Sequence, residues 1–445
     1  MKTLNIIFAL IFGALSLSAQ DVYVTVYNNN LGVIKETRKV TLNKGLTRFY
    51  IADVPTQIDP TSVHLKFDGQ ILEQNYKYDL ADKFSILRKY IDKEIELTDE
   101  KGNVTKGKLI SVGGDDLVLS KSEGGLLMIS GLKKYRISVN RLPEGFVTKP
   151  TLEYLAKSES EGEKKIELSY FTGGMNWQAE YVAVLNETDD ELKLNSWVSI
   201  TNNSGATFKN AKVKLVAGEI NRAYTEEPQP VFAMEKRMNA DEASFEGRDF
   251  FEYHIYELNR PTTLANREQK QIAFFNSDKI AAKKKLSLRF YAYENGKKKN
   301  AKITVEFVND KANNLGTPLP AGKIRIFKKD KESLEFIGED AIGHTAKNEK
   351  VILTIGKAFD VYGKCVETKK EKIAKNVYEI TNRITVSNAK NEDADVEVFK
   401  YFSGDWKILN SDMKYSKVNS RTAKFIIKVP AESKRTITFT VRITR

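Results

Sequence analysis

After its first twenty residues the chain alternates between apolar and polar positions with a period of two, almost to its last residue. The final stretch shows this most cleanly. Ile437, Phe439, Val441 and Ile443 fall on one side, and Thr436, Thr438, Thr440 and Arg442 on the other. Successive side chains of a β-strand point to opposite faces, so this is the pattern of an antiparallel sheet with one dry and one wet face. No heptad run, strand–helix–strand alternation or regular internal repeat interrupts it. The pattern predicts an all-β protein. At 445 residues the chain is too long for a single ordinary core, so it predicts several modules: antiparallel β-sandwiches with a small SH3- or Sm-like barrel inserted between strands.

The first twenty residues, "MKTLNIIFALIFGALSLSAQ", follow another logic. One basic residue, Lys2, precedes an apolar run from Leu4 to Leu15, and the small residues Ser16, Ser18 and Ala19 follow. That order is the order of a secretory signal peptide over residues 1–20, and its apolar run is short for a bilayer span. No cysteine stands near the expected cut after Ala19 or Gln20, which argues against a lipid anchor, and no later apolar run reaches membrane length. The expectation is an exported protein without a transmembrane segment. Its place would be the periplasm or the cell exterior, with outer-membrane association left open.

Cys365 is the only cysteine, so no internal disulfide can form and burial must carry the stability. In "DVYGKCVE" it reads as a small buried apolar residue, because thiol chemistry needs a base positioned nearby. The formal net charge is +12. Much of the excess lies in short lysine clusters at 283–285, 297–299, 328–329 and 369–370, each expected at a strand end or turn. Nucleic-acid binding would call for arginine and aromatics interleaved along one surface, so no nucleic acid is expected as partner. Lysine at turns and edges keeps strands from pairing with strangers. A functional reading of this charge is attraction to an anionic surface or polysaccharide.

The alternation and its breaks divide the chain. Residues 21–79 read as an N-terminal β module. In its second strand Ile34, Glu36, Arg38, Val40 and Leu42 share a face, which suggests a strand running past its core. Residues 85–142 carry short strands separated by "DEKGN", "GGDD" and "SEGG", the spacing of a five-stranded barrel. Residues 150–221 read as a central sandwich that opens with a hairpin tipped at 158–163. Residues 222–250 lose all periodicity and read as a mobile linker. Residues 251–445 return to strands as a C-terminal sandwich, with a hairpin signal at Asn295-Gly296.

The wording of several stretches is distinctive. "VYNNNLGVIKETRKVTL", "LSYFTGGMNWQAEYVAVL", "WVSITNNSGATFKNAKVKLVAGEINR" and "NLGTPLPAGKIRIFKKD" resemble, in order, the bacterial family called domain of unknown function 4139, over about residues 21–445. Some relatives carry a coiled coil after the first β module, where this chain has its barrel-like unit. The resemblance implies an exported β-sandwich protein of unresolved function and supplies no catalytic residues.

Four aromatic residues deserve assignment. Trp177, Ala179, Tyr181, Ala183 and Leu185 share one face of a strand, the arrangement of a sandwich core, so Trp177 and Tyr181 read as core plugs. Trp197 falls opposite the apolar face formed by Leu192, Leu194, Val198 and Ile200, and Trp406 follows a glycine turn. Either could be covered by another layer or could stack on a sugar ring as a ligand contact. His64, His254 and His344 lie apart, and no metal-ligand spacing, nucleophile elbow, phosphate loop or cofactor motif is present. "TDDE" and "NEDAD" are acidic turns of the kind usually solvated. "FTGG", "VGGDD" and "SEGG" read as hairpin glycines. A carboxylate pair for glycoside hydrolysis leaves no sequence signature, so that chemistry stays open.

The leading expectation is a non-catalytic envelope or extracellular protein that binds a protein partner or serves a structural role, with no catalytic residue, metal or cofactor. The alternative is polysaccharide binding through Trp197 and Trp406, and a third is a polysaccharide-acting hydrolase.

Overall fold

The structure, a computed structural model, describes residues 21–78, 82–141, 143, 147–218, 245–250 and 253–444. The expected signal peptide and residues 222–244 of the expected linker lie outside the described residues. The linker's last six residues, Phe245–Phe250, are a strand paired antiparallel with Tyr253–Leu258.

The protein is all-β and sandwich-like. Most neighbouring strands run antiparallel, but among the described residues parallel pairs include Val22–Tyr27 with Phe208–Ala217, Met175–Leu185 with Gly322–Asp330, and Lys283–Phe290 with Ala394–Tyr401. The chain forms two compact units. One holds the residues up to Trp177 with Ile200–Val216 and Arg260–Lys270, and the other holds the rest.

In the first unit the expected boundary between residues 21–79 and 150–221 does not exist. Gly32–Leu42 pairs with Val22–Tyr27 on one side and with Gly162–Thr172 on the other. The facing sheet places Thr151–Ser158 between Gly45–Ala52 and Gly69–Lys77. Residues 150–172 therefore complete the sandwich that begins at residue 21. The expected hairpin across 158–163 is instead a crossing between sheets, since Thr151–Ser158 and Gly162–Thr172 pair with different partners. Glu36 and Arg38 do not run past the core either. They are 5% and 6% exposed and form an ion pair inside it.

Residues 83–138 form the inserted module. Asp82 caps the helix Lys83–Lys89 by accepting from the backbone N–H groups of Phe84 and Ser85. Five strands follow, and the last, Arg136–Ser138, pairs beside the first, Glu94–Thr98. Leu87, Tyr90, Leu97, Leu109 and Leu119 fill its core. Strand number and spacing agree with the barrel-like expectation, which did not foresee the helix. "VGGDD" and "SEGG" make hairpins as expected. "FTGG" does not: it carries the chain out of the sheet containing Gly162–Thr172 and into the one containing Met175–Leu185.

The second unit has two cores joined by one strand, Lys350–Ala374, 25 residues long. Its Val351 and Leu353 pack with Tyr181, Leu194 and Ile324, under the five-stranded sheet that contains Met175–Leu185. Its Val361 and Cys365 pack with Phe425 and Phe439 in the other core. Those two phenylalanines come from strands second from opposite edges of a nine-stranded sheet, yet their ring centroids are 5.1 Å apart. The sheet folds over on itself and buries its own inner face. Ile437, Phe439, Val441 and Ile443 all face that core, as the alternation predicts. Lys369 and Lys370, expected at a strand end or turn, lie within the long strand.

Candidate functional site

Two of the four assigned aromatics are core residues as expected. Trp177 is 1% exposed, and its indole N–H donates to Val216 O at 3.1 Å. Tyr181 is fully buried, and its hydroxyl donates to Pro320 O at 2.8 Å. A buried polar tip must find a partner, and both have one.

Trp406 corrects the expectation of a ligand contact. It is 6% exposed, its indole donates to Ser420 O at 2.9 Å, and its ring packs on Phe402 at 4.7 Å. Its strand, Asp405–Ser411, pairs with the last strand of the chain, and that pairing turns the ring into the folded-over core. No face remains for a sugar. Trp197 is half-buried, so of the two contact expectations only this one keeps exposed surface.

The acidic turns hold lysines. In "TDDE" Asp189 lies between the ammonium groups of Lys284 and Lys328. Burial works to raise its pKa, but its hydrogen bonds to the two lysines outweigh that and hold the carboxyl below its usual range. Asp190 accepts from Thr188 and Asn186. In "NEDAD" Glu392 pairs with Lys390, and Asp393 with Lys428. Among the described residues no group of three or more His, Cys, Asp or Glu stands close enough to hold a metal. Much of the positive charge is likewise committed, as where Lys285 meets Glu306 at 2.8 Å and Lys424 meets Glu397 at 2.7 Å.

The surface that stands out was missed by the sequence reading. Strand Lys283–Phe290 alternates inward Leu286, Leu288 and Phe290 with an outward, exposed Arg289. Tyr291 continues the outward row and caps the short turn Ala292–Glu294, its backbone N–H donating to Glu294 Oε2 at 3.1 Å. Lys299, returning on the next strand, bonds both Glu294 Oε2 at 2.5 Å and Arg289 O at 2.8 Å. Gly296 makes the return possible with φ +76°, a conformation glycine adopts without strain.

This turn presents an aromatic stack. Tyr291 lies parallel to Tyr293 at 5.6 Å and to Tyr401 at 4.5 Å, both with interplanar angles of 15°. Tyr401 comes from Ala394–Tyr401, the parallel neighbour of Lys283–Phe290. Arg289 donates to the Tyr401 hydroxyl at 3.1 Å and lies over the Phe399 ring at 5.2 Å. Tyr293 is 77% exposed. Burial and the neighbouring Tyr401 push the Tyr291 phenol above its ordinary pKa, so it stays a neutral donor at physiological pH. The result is a stacked row of tyrosine rings with an arginine whose polar contact is a phenol. A signal was available, since Arg289, Tyr291 and Tyr293 follow period two beside a hairpin turn and Phe399 and Tyr401 do the same.

No family model matches the chain, and no curated protein matches it.

Proposed function

We propose that this is an exported, non-catalytic β protein, and that the Tyr291–Tyr293–Tyr401 stack with Arg289 is the surface by which its second unit holds a protein partner. The stack is the observation that carries the reading. Tyrosine and arginine dominate the energetic centres of protein interfaces, because they bring large contact area with few rotatable bonds and a polar tip. Stacking fixes the rings before binding, which lowers the entropy lost on association. A sugar-binding platform needs an open ring face, and Tyr291 already stacks against two neighbours. The test is cross-linked capture from intact source cells with the wild-type chain and with Arg289→Ala and Tyr293→Ala. One protein held at fixed stoichiometry by the wild type and lost from both variants supports the reading. Equal capture by all three chains contradicts it.

One observation favours a second reading, the binding of an acidic polysaccharide. Arg289 has no carboxylate partner among the described residues, and the highly exposed Tyr293 ring stands beside it. Tryptophan quenching cannot report on this site, so binding of uronate-containing glycans would be followed by calorimetry on wild type and Arg289→Ala.

Kinship with the domain of unknown function 4139 family is part of the proposal, resting on the four quoted motifs. It agrees in kind with an exported sandwich protein. The expected place is the periplasm or the cell exterior.

A further inference from the structure

The inserted module ends its sheet on an open edge. Strand Leu126–Ser130 pairs with Asp116–Ser120 on one side, and among the described residues no strand lies on the other. Hydrogen bonds beyond both ends of this pair fix which backbone groups look outward. Lys121 N–H donates to Gly125 O at 3.1 Å, and Gly131 N–H donates to Asp115 O at 3.0 Å. Antiparallel pairs alternate between bonded and non-bonded, so the bonded pairs between them are Leu119 with Leu127 and Leu117 with Ile129. The N–H and C=O groups of Leu126, Met128 and Ser130 therefore face away from the sheet. The side chains are as open. Leu126 is 61% exposed and Met128 75% exposed, with half-buried Val118 beside Met128. Proteins blunt such an edge with charge, above all lysine, because a free apolar edge pairs with other strands. Among the described edge strands of at least its own five residues, Leu126–Ser130 alone carries no charged side chain.

We propose that this edge is covered by the same edge of a second copy of the chain, in an antiparallel two-fold pairing centred on Met128. The outward backbone groups fall at every second residue and symmetrically about Met128. In this register Met128 faces the partner's Met128 and Leu126 faces the partner's Ser130, so each outward N–H meets an outward C=O. The flanking charges fit the same arrangement. Glu123 precedes the strand, Lys133 and Lys134 follow it, and all three are exposed. Antiparallel pairing sets the acidic end of one strand against the basic end of the other, whereas parallel pairing would set like charge against like. The exposed Leu126 and Met128 side chains of both copies then lie on one face of a continuous sheet and cover each other. A five-residue edge buries less than the roughly 1,200–2,000 Å² of a stable complex, so the dimer is weak and forms in the micromolar range. This inference does not rest on the proposed partner surface, which belongs to the other unit.

Analytical ultracentrifugation of the full-length folded protein, from low to high micromolar concentration, decides it. The expected result is a reversible monomer–dimer equilibrium. Met128→Lys should weaken it at least tenfold, and Val418→Lys, on the edge strand Tyr415–Asn419, should leave it unchanged. Met128→Cys reads the register directly. Cys365 is buried, and a bonded antiparallel pair holds its Cα atoms about 5.5 Å apart, within disulfide reach. Under mild oxidation Met128→Cys should therefore link to its own copy, and Glu123→Cys should not. A wild type that stays monomeric at high micromolar concentration would overturn the proposal and leave the edge to another occupant. So would a dimer that Met128→Lys leaves intact, a species larger than a dimer, or a dimer in which Met128→Cys forms no link. Met128 is exposed, so its replacement does not put the fold at risk.

Discussion

Glu36 and Arg38, two residues apart on one strand, form an ion pair of 2.9 Å within the first sandwich, and Arg38 also donates to Ala52 O on the facing sheet at 2.7 Å. Tyr170 donates to Glu36 at 3.3 Å, so the carboxylate holds two partners. Removing one member of a buried pair leaves a desolvated charge, at a cost of about 3–5 kcal/mol, whereas replacing both by apolar residues is near neutral or stabilising. Urea unfolding should therefore show Arg38→Met and Glu36→Leu each strongly destabilised and the double variant restored most of the way. Additive losses would mean that the pair is not what holds these groups.

Asp189 predicts a pH dependence. Its folded pKa is depressed by Lys284 and Lys328 against the opposing effect of burial. The stability it contributes is present above the unfolded carboxylate pKa of about 4, and it is lost as pH falls through the lower folded value. Melting temperature against pH should fall less steeply below about pH 4 in Asp189→Asn than in wild type. Parallel acid limbs would contradict the assignment.

The two buried tryptophans should behave as core residues. Trp177→Ala and Trp406→Ala should each cost about 3–5 kcal/mol in thermal or denaturant unfolding. Trp406→Phe keeps most of the packing but leaves Ser420 O without its donor, and should lose about 1 kcal/mol. A Trp406→Ala protein as stable as wild type would restore the residue as a candidate contact.

Much of this was legible from alternation alone, because burial reads directly on a period of two. The final strand, the Trp177–Tyr181 face and the five strands of the inserted module could all be drawn from sequence. Pairing partners could not. Gly162–Thr172 pairs with Gly32–Leu42, far away in sequence, and nothing local in either stretch encodes that choice. Charge also misled. Glu36 and Arg38 look solvent-facing one residue at a time and are buried because the fold supplies their partners, each other together with Tyr170 and Ala52 O. Trp406 was misjudged for a related reason, since its burial depends on how far the nine-stranded sheet folds over. The tyrosine stack joins two strands about a hundred residues apart, so only half of it lay in any one window.

Gly174, in the turn that moves the chain between sheets, has φ +74°, and a Cβ there would lie 2.7 Å from Asn203 C and O. Both the backbone conformation and the contact exclude a side chain. Gly174→Ala should destabilise by more than about 1 kcal/mol, measured by the urea midpoint, while Gly113→Ala, with open space at its Cβ and no positive φ, should change it little.

The most direct measurement is the paired capture experiment on the aromatic face. Wild type, Arg289→Ala and Tyr293→Ala, all shown to melt alike, would be cross-linked in intact cells of the source organism and washed at high salt. The account predicts one protein recovered at fixed stoichiometry with the wild type and at least tenfold less, a change of about 1.4 kcal/mol, with either variant. The same partner recovered equally on all three chains would contradict it.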